Sequence, residues 1–285
     1  VKNWQSGLII TQYIVILLPP IIYIAAKKLS IREVLRLNKI SFKHGFLIAC
    51  ITLLVYPVAV FGNVLLMTII SFLGNLNIPQ LPMATSKDEY LVLMFIISIS
   101  AGICEEIFFR GFILSGYERM GKKKAIIFSA ILFGFFHFNI YNLLGPIVLG
   151  LVFGYLVLET NSIFAGMIGH MVNNGFAVTL GFILNLAVDF LPDREMIDKA
   201  VKDIPTTSAM LANTVLFGII SIITSLVAYQ LIKIIKKDRK DLNSEVYNRY
   251  EETDVKKFEF IPLIFTGILF IIVVAIQIKE IISLG

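Results

Sequence analysis

The chain reads as an all-α, polytopic membrane bundle with about eight transmembrane helices, and three observations predict it. Hydrophobic residues make up 57% of the 285, charged residues only 16%, and mean hydropathy is +0.85; a soluble domain carries about 25% charged residues. Apolar runs repeatedly reach the length of about 20 residues that a helix needs to cross a bilayer. Basic residues gather between those runs, a pattern of membrane topology and anionic-lipid contact that argues against nucleic-acid binding. The runs are continuous and do not alternate, which excludes a closed β-barrel.

The spans follow in order. The first, 7–26, is followed by bases and shows no small-residue cleavage site, so it is read as a retained span and not a signal peptide. The second, 45–73, begins beside Lys43 and His44, and this histidine is read as interfacial. The third, 90–116, holds two acids and an arginine inside its apolar run. The fourth and fifth, 125–139 and 143–158, fall short of the usual ~17–25 residues; they imply a locally thinned bilayer or a partly wet interior. Gly145-Pro146 suits the start of the fifth. Spans at 163–188, 209–235 and 260–279 complete a single membrane domain over 1–285, with a catalytic core at about 90–180 and flanking helices at 7–73 and 209–279. The polar stretch 236–257 suits a short interfacial helix or a linker. No internal repeat is visible, so a transporter of inverted repeats gains little support. Cys50 and Cys104 lie in apolar segments and give neither a disulfide framework nor a CxxC metal pattern. Cys104 abuts Glu105 but reads as a small packing residue.

Lysine and arginine predict the orientation. Segments 27–44, 117–124 and 233–257 hold most of the 25 basic residues and fall at the same end of alternating spans. They are placed in the cytoplasm, with both termini outside and a multi-pass location in the cell membrane. The opposite loops, 74–89 and 189–205, are poor in bases. The second is read as a surface tether, the alternative being a shade over the outer mouth of a site.

Three motifs carry chemistry. Glu105-Glu106-Ile107-Phe108-Phe109-Arg110 puts ionisable groups where hydrocarbon should surround them, at a cost of roughly 2.5–3.5 kcal/mol each, so they face the bundle interior and have a task. Glu106 and Arg110 are four apart and can pair, which lowers the cost of burying both. Glu105 is rotated off that face and stays free for chemistry. Arg110 lies nearer the basic end, where its side chain could snorkel. Phe133-Gly134-Phe135-Phe136-His137 and His170-Met171-Val172-Asn173-Asn174 supply two imidazoles, with Phe133 beside His137 and Asn174 one turn from His170. Counted from the basic loops at 1.5 Å per residue, Glu105, His137 and His170 lie about 21, 20 and 16 Å deep, within one helical turn of each other. Taken singly, each motif also fits a structural ion pair, a backbone-bonded histidine or interhelical glue. Together they can activate water, with the glutamate as base or with both histidines on a metal such as zinc. HExxH and GxSxG are absent. An amide beside a histidine suits an oxyanion.

This ordered set resembles the CPBP family of intramembrane proteases, the CAAX-protease and bacteriocin-processing (Abi) family, whose members include Rce1-type prenyl-protein endopeptidases. Glu105, Glu106 and Arg110 match its EExxxR, Phe133 and His137 its FxxxH, and His170 and Asn174 its HxxxN, over about 90–180. The resemblance implies an intramembrane peptidase in which Glu105 and His137 activate the water, His170 and Asn174 hold the oxyanion, and Glu106 and Arg110 support the site. It also implies a site opening to the cytoplasm and to lipid. Members have been described as metalloproteases and as metal-free glutamate enzymes. Glu105, His137 and His170 form the candidate metal set, and the expectation adopted is no tightly bound metal. The implied substrate is a membrane peptide or a lipidated or short hydrophobic protein, with no nucleic acid. The alternative is a non-catalytic membrane immunity or peptide-binding protein on the same fold.

Overall fold

Helix caps and breaks lie close to the ends of the apolar runs, and among the described residues they mark out eight principal helices. The computed structural model describes residues 3–79, 82–188, 206–239 and 260–283, and among these no strand occurs. The helices are α1 (Trp4–Ala26), α2 (Phe42–Ile70), α3 (Lys87–Met120), α4 (Lys122–Phe136), α5 (Leu144–Thr160), α6 (Ile163–Val188), α7 (Thr206–Arg239) and α8 (Ile261–Ser283). Ser41 and Ser86 accept the backbone N–H of His44 and Glu89, capping α2 and α3. Gly121, at φ 94°, makes the turn between α3 and α4. Asn161, at φ 48°, ends α5, and Arg239 donates to the carbonyl of Thr160 there. The expectations for loop 189–205 and for most of 236–257 lie outside the described residues.

Seven of the helices are long and apolar enough to cross a membrane. The eighth, α4, has 15 residues, about 22 Å at 1.5 Å per residue against a hydrocarbon core of about 30 Å. The fifth predicted span is longer than its apolar run suggested: a 3₁₀ turn, Ile140–Asn142, leads into the 17 residues of α5.

The core is built by α2, α5 and α6 around Ile48, Ile51, Val55, Phe153, Leu156 and Ala165, with Ala228 and Ile235 of α7 against it. Gly150 lets α5 touch α4: a Cβ there would lie 2.8 Å from the Cα of Ala130. Exposed Ile219, Ile222, Ile223 and Leu226 of α7, and Ile264, Phe265, Ile271 and Ile276 of α8, form the apolar outside a bilayer requires.

Three stretches are wound as π-helix: Thr11–Leu17 in α1, and Met94–Ser100 and Ile107–Ile113 in α3. The two in α3 bracket Glu105 and Glu106, and the one in α1 packs beside them through Tyr13, whose hydroxyl lies 3.0 Å from Ser100 Oγ. Such turns loosen the carbonyl ladder and are frequent at functional sites.

Candidate active site

The six singled-out side chains converge from α3, the end of α4, and α6. They split into a cluster sealed in protein and a cavity wall. In the cluster, Glu106 and Arg110 are fully buried. Glu106 Oε1 accepts from an Arg110 terminal nitrogen at 2.8 Å and lies 2.9 Å from His170 Nδ1. A carboxylate can only accept, so Nδ1 is the protonated nitrogen and Nε2 points onward. Arg110 does not snorkel: its guanidinium lies 4.3 Å from the Phe133 ring centre and 5.7 Å from that of Phe153. Its Nε and second terminal nitrogen lack a hydrogen-bond partner among the described residues. Desolvated cation–π contacts of about 2 kcal/mol take the place of hydrogen bonds, and the aromatic cage makes the interior a better home than the interface. Gly166 makes room for the cluster, since a Cβ there would lie 2.3 Å from Glu106 Oε2.

Glu105 is turned the other way, into a cavity of about 920 Å³ that His137, His170, Asn173 and Asn174 also line. Its Oε1 accepts from Gln12 Nε2 at 2.7 Å, and its Oε2 is 3.8 Å from His170 Nε2. His137 Nδ1 lies 2.8 Å from the Phe133 carbonyl, so Nδ1 carries a proton, and in the neutral form of the ring the lone pair is on Nε2. Phe133 stands edge-on to both imidazoles, at 5.1 and 5.7 Å between ring centres.

Asn174 donates to the carbonyl of Ile97 at 2.8 Å, in the first π stretch of α3, and accepts from Asn173 at 2.9 Å. One of its two amide hydrogens is thereby used in tying α6 to α3. Ser98 adds a second tie by donating to the carbonyl of Met171 at 2.8 Å. His44 sits with Lys43 at the basic end, both against Asp238.

Gln12 and Asn63 were not singled out by the sequence. Gln12 reaches Glu105 from an apolar helix, and a lone glutamine in the run 7–26 was the available signal. Asn63 donates to Asn142 at 2.8 Å and accepts from the Gly145 N–H at 2.7 Å, fixing the start of α5 beside the cavity.

A metal on Glu105, His137 and His170 needs all three to face one point. Among the described residues no three His, Cys, Asp or Glu side chains are gathered closely enough to hold an ion. Each histidine has Nδ1 engaged elsewhere, so Nε2 is the ring nitrogen each would offer to a metal.

Residues 87–176, which hold all three motifs, match the family model described as type II CAAX prenyl endopeptidase Rce1-like. The match covers about a third of the chain, and over it this core is similar to a family of proteases. Among the described residues, the seven membrane-length helices make the chain a multi-pass membrane protein. Comparison with curated proteins and with solved structures found no match.

Proposed function

We propose that the chain is an intramembrane endopeptidase that cleaves a peptide bond near the membrane interface with a water activated by Glu105 and His137. The observation that carries this reading is the position of Glu105, in the wall of a cavity it shares with both membrane-embedded histidines while its neighbour Glu106 is withdrawn into an ion cluster. In the proposed reaction a water sits between the Glu105 carboxylate and the Nε2 lone pair of His137. Glu105 takes one proton as the water oxygen bonds to the peptide carbonyl carbon. The carbonyl oxygen becomes an oxyanion. The second amide hydrogen of Asn174 can reach it, and so can His170 from Nε2 when both ring nitrogens are protonated. The tetrahedral carbon then expels the amine, which takes the proton held by Glu105. Glu106 and Arg110 do not touch substrate in this scheme; they hold His170.

The reaction is read as metal-free, and a membrane peptide or short hydrophobic protein as its substrate. The test is incubation of the detergent-purified protein with a membrane-peptide library, with and without chelator, read by product masses. Glu105→Gln and His137→Ala are expected to abolish the products while the protein still inserts. Cleavage that survives Glu105→Gln sinks the peptidase mechanism, and cleavage lost to chelator and restored by zinc sinks its metal-free form.

A further inference from the structure

Resting on the peptidase reading, we infer that the cavity receives its peptide from the extracytoplasmic side of the membrane and admits an uncharged, apolar stretch. The argument starts from α4. Its first turn is Lys122, Lys123 and Lys124, and after 15 residues it stops. At about 1.5 Å per residue it ends some 8 Å short of crossing a core of about 30 Å. The turn that follows, 137–143, is irregular backbone at membrane depth, tolerated only where protein or a wet cavity satisfies it. Protein satisfies part of it: Gln277 of α8 accepts from the Ile140 N–H at 2.9 Å and donates to the Phe138 carbonyl at 3.2 Å. The cavity takes the other side, where His137 and Asn142 line it.

Each cavity wall runs toward that same end. Trp4, Gly7 and Leu8 begin α1, which finishes beside Lys27. Pro82 precedes α3, which leads to Lys122. Gly145 and Pro146 begin α5, whose last turn is held by Arg239. Ala177 lies two turns beyond His170, away from the start of α6, where the Ile163 N–H donates to the Arg36 carbonyl. The end opposite the cavity therefore carries Lys27, Lys28, Arg32, Arg36, Lys122 to Lys124 and Arg239. At the cavity's own end the described residues include Lys87 and Lys279, beside Asp88, Glu89 and Glu280. Bases mark the cytoplasmic end, so the cavity faces out. This is the reverse of the cytoplasmic opening that the family resemblance implies.

The lining sets the class of peptide. Among the described residues it holds no Lys or Arg, so no permanent side-chain cation is there to receive a free carboxylate. Trp4, Leu8, Val60, Leu149 and Phe153 supply apolar wall, and the amides of Asn63 and Asn173 can meet peptide N–H and C=O groups.

The test uses the full chain in spheroplasts of a bacterial host, with single cysteines introduced by Leu8→Cys, Ala177→Cys and Lys123→Cys. A membrane-impermeant maleimide is added, and labelling is read residue by residue by mass spectrometry, so native Cys50 and Cys104 stay in place. Leu8→Cys and Ala177→Cys are expected to label before lysis and Lys123→Cys only after it; the opposite pattern overturns the proposal. In detergent, an uncharged Ala/Leu decapeptide is expected to slow labelling of Leu8→Cys, and its central-Lys version to lose that effect. Equal slowing by both overturns the peptide class. Sidedness vanishes in detergent, so cleavage there tests the peptidase reading alone, and failure of one is distinguishable from failure of the other.

Discussion

The cavity wall and the ion cluster behind it meet at a single peptide bond, with Glu105 in the first region and Glu106 in the second. The two residues are chemically identical and lie at nearly the same depth, so nothing intrinsic separates their roles; their partners do. Glu106 is held by Arg110 and His170 in a space that Gly166 leaves open. Glu105 has one neutral donor, Gln12, lies 3.8 Å from His170 Nε2 through its other oxygen, and lines open volume. A buried carboxylate with a full cation stabilises structure at the cost of being unavailable, whereas one with a single amide stays reactive. The π turns on either side of the pair let adjacent residues of one helix address two such different regions.

The sharpest way to break the comparison is Glu105→Gln. It keeps shape and hydrogen bonding and removes the base, so cleavage should fall by at least about a hundredfold, with melting temperature in detergent little changed. A drop in melting temperature as large as the loss of rate would mean that Glu105 is structural too, and the two regions would be one. Arg110→Ala is the converse. Glu106 would be left in a sealed space without its cation, and removing one partner of a buried pair costs about 3–5 kcal/mol. Folded yield should collapse before activity can be measured. A well-folded Arg110→Ala protein would show that neither the ion pair nor the ring contacts of the guanidinium set the stability of this region.

The sequence anticipated the pairing of Glu106 with Arg110, because an i, i+4 spacing aligns only one of the two acids with the arginine. It also anticipated that Glu105, His137 and His170 come together, and they line one cavity. It carried less information about azimuth. The π turns change how far each residue rotates around the axis, so Asn174 reaches the Ile97 carbonyl and Gln12 comes to face Glu105, and neither contact is visible to a 3.6-residue count. The sequence leaves snorkelling open to Arg110 because the rings that cage it come from α4 and α5, far away in sequence. The short α4 is legible in the sequence as a length anomaly; that its missing turns become a cavity depends on how Gln277 of the distant α8 closes the other side.

Two smaller perturbations sharpen the boundary between the regions. Gly166→Ala puts a methyl group 2.3 Å from Glu106 Oε2 and 3.0 Å from Val157 Cγ2, so the cluster must shift. Overpacking of this kind costs about 1–3 kcal/mol. A lower melting temperature should appear together with a moderate loss of cleavage, because His170 moves with Glu106. Loss of stability with full activity would show that His170 does not depend on the cluster for its position.

Gln12→Leu acts from the other side and should be the mildest. It deletes the one hydrogen bond that holds Glu105 and adds no charge. A hydrogen bond to a charged group is worth about 1.5–3 kcal/mol, but the freed carboxylate can rotate toward cavity water and recover most of that, leaving a loss of about tenfold in rate, or 1.4 kcal/mol. If Gln12 only aims the carboxylate, the loss falls on kcat with KM unchanged, and Gln12→Asn, shorter by one methylene, restores little. If Gln12 instead contacts substrate along the wall it shares with Leu8, KM rises as well. The KM-against-kcat split therefore decides whether α1 is part of the device that positions Glu105 or merely one side of the passage leading to it.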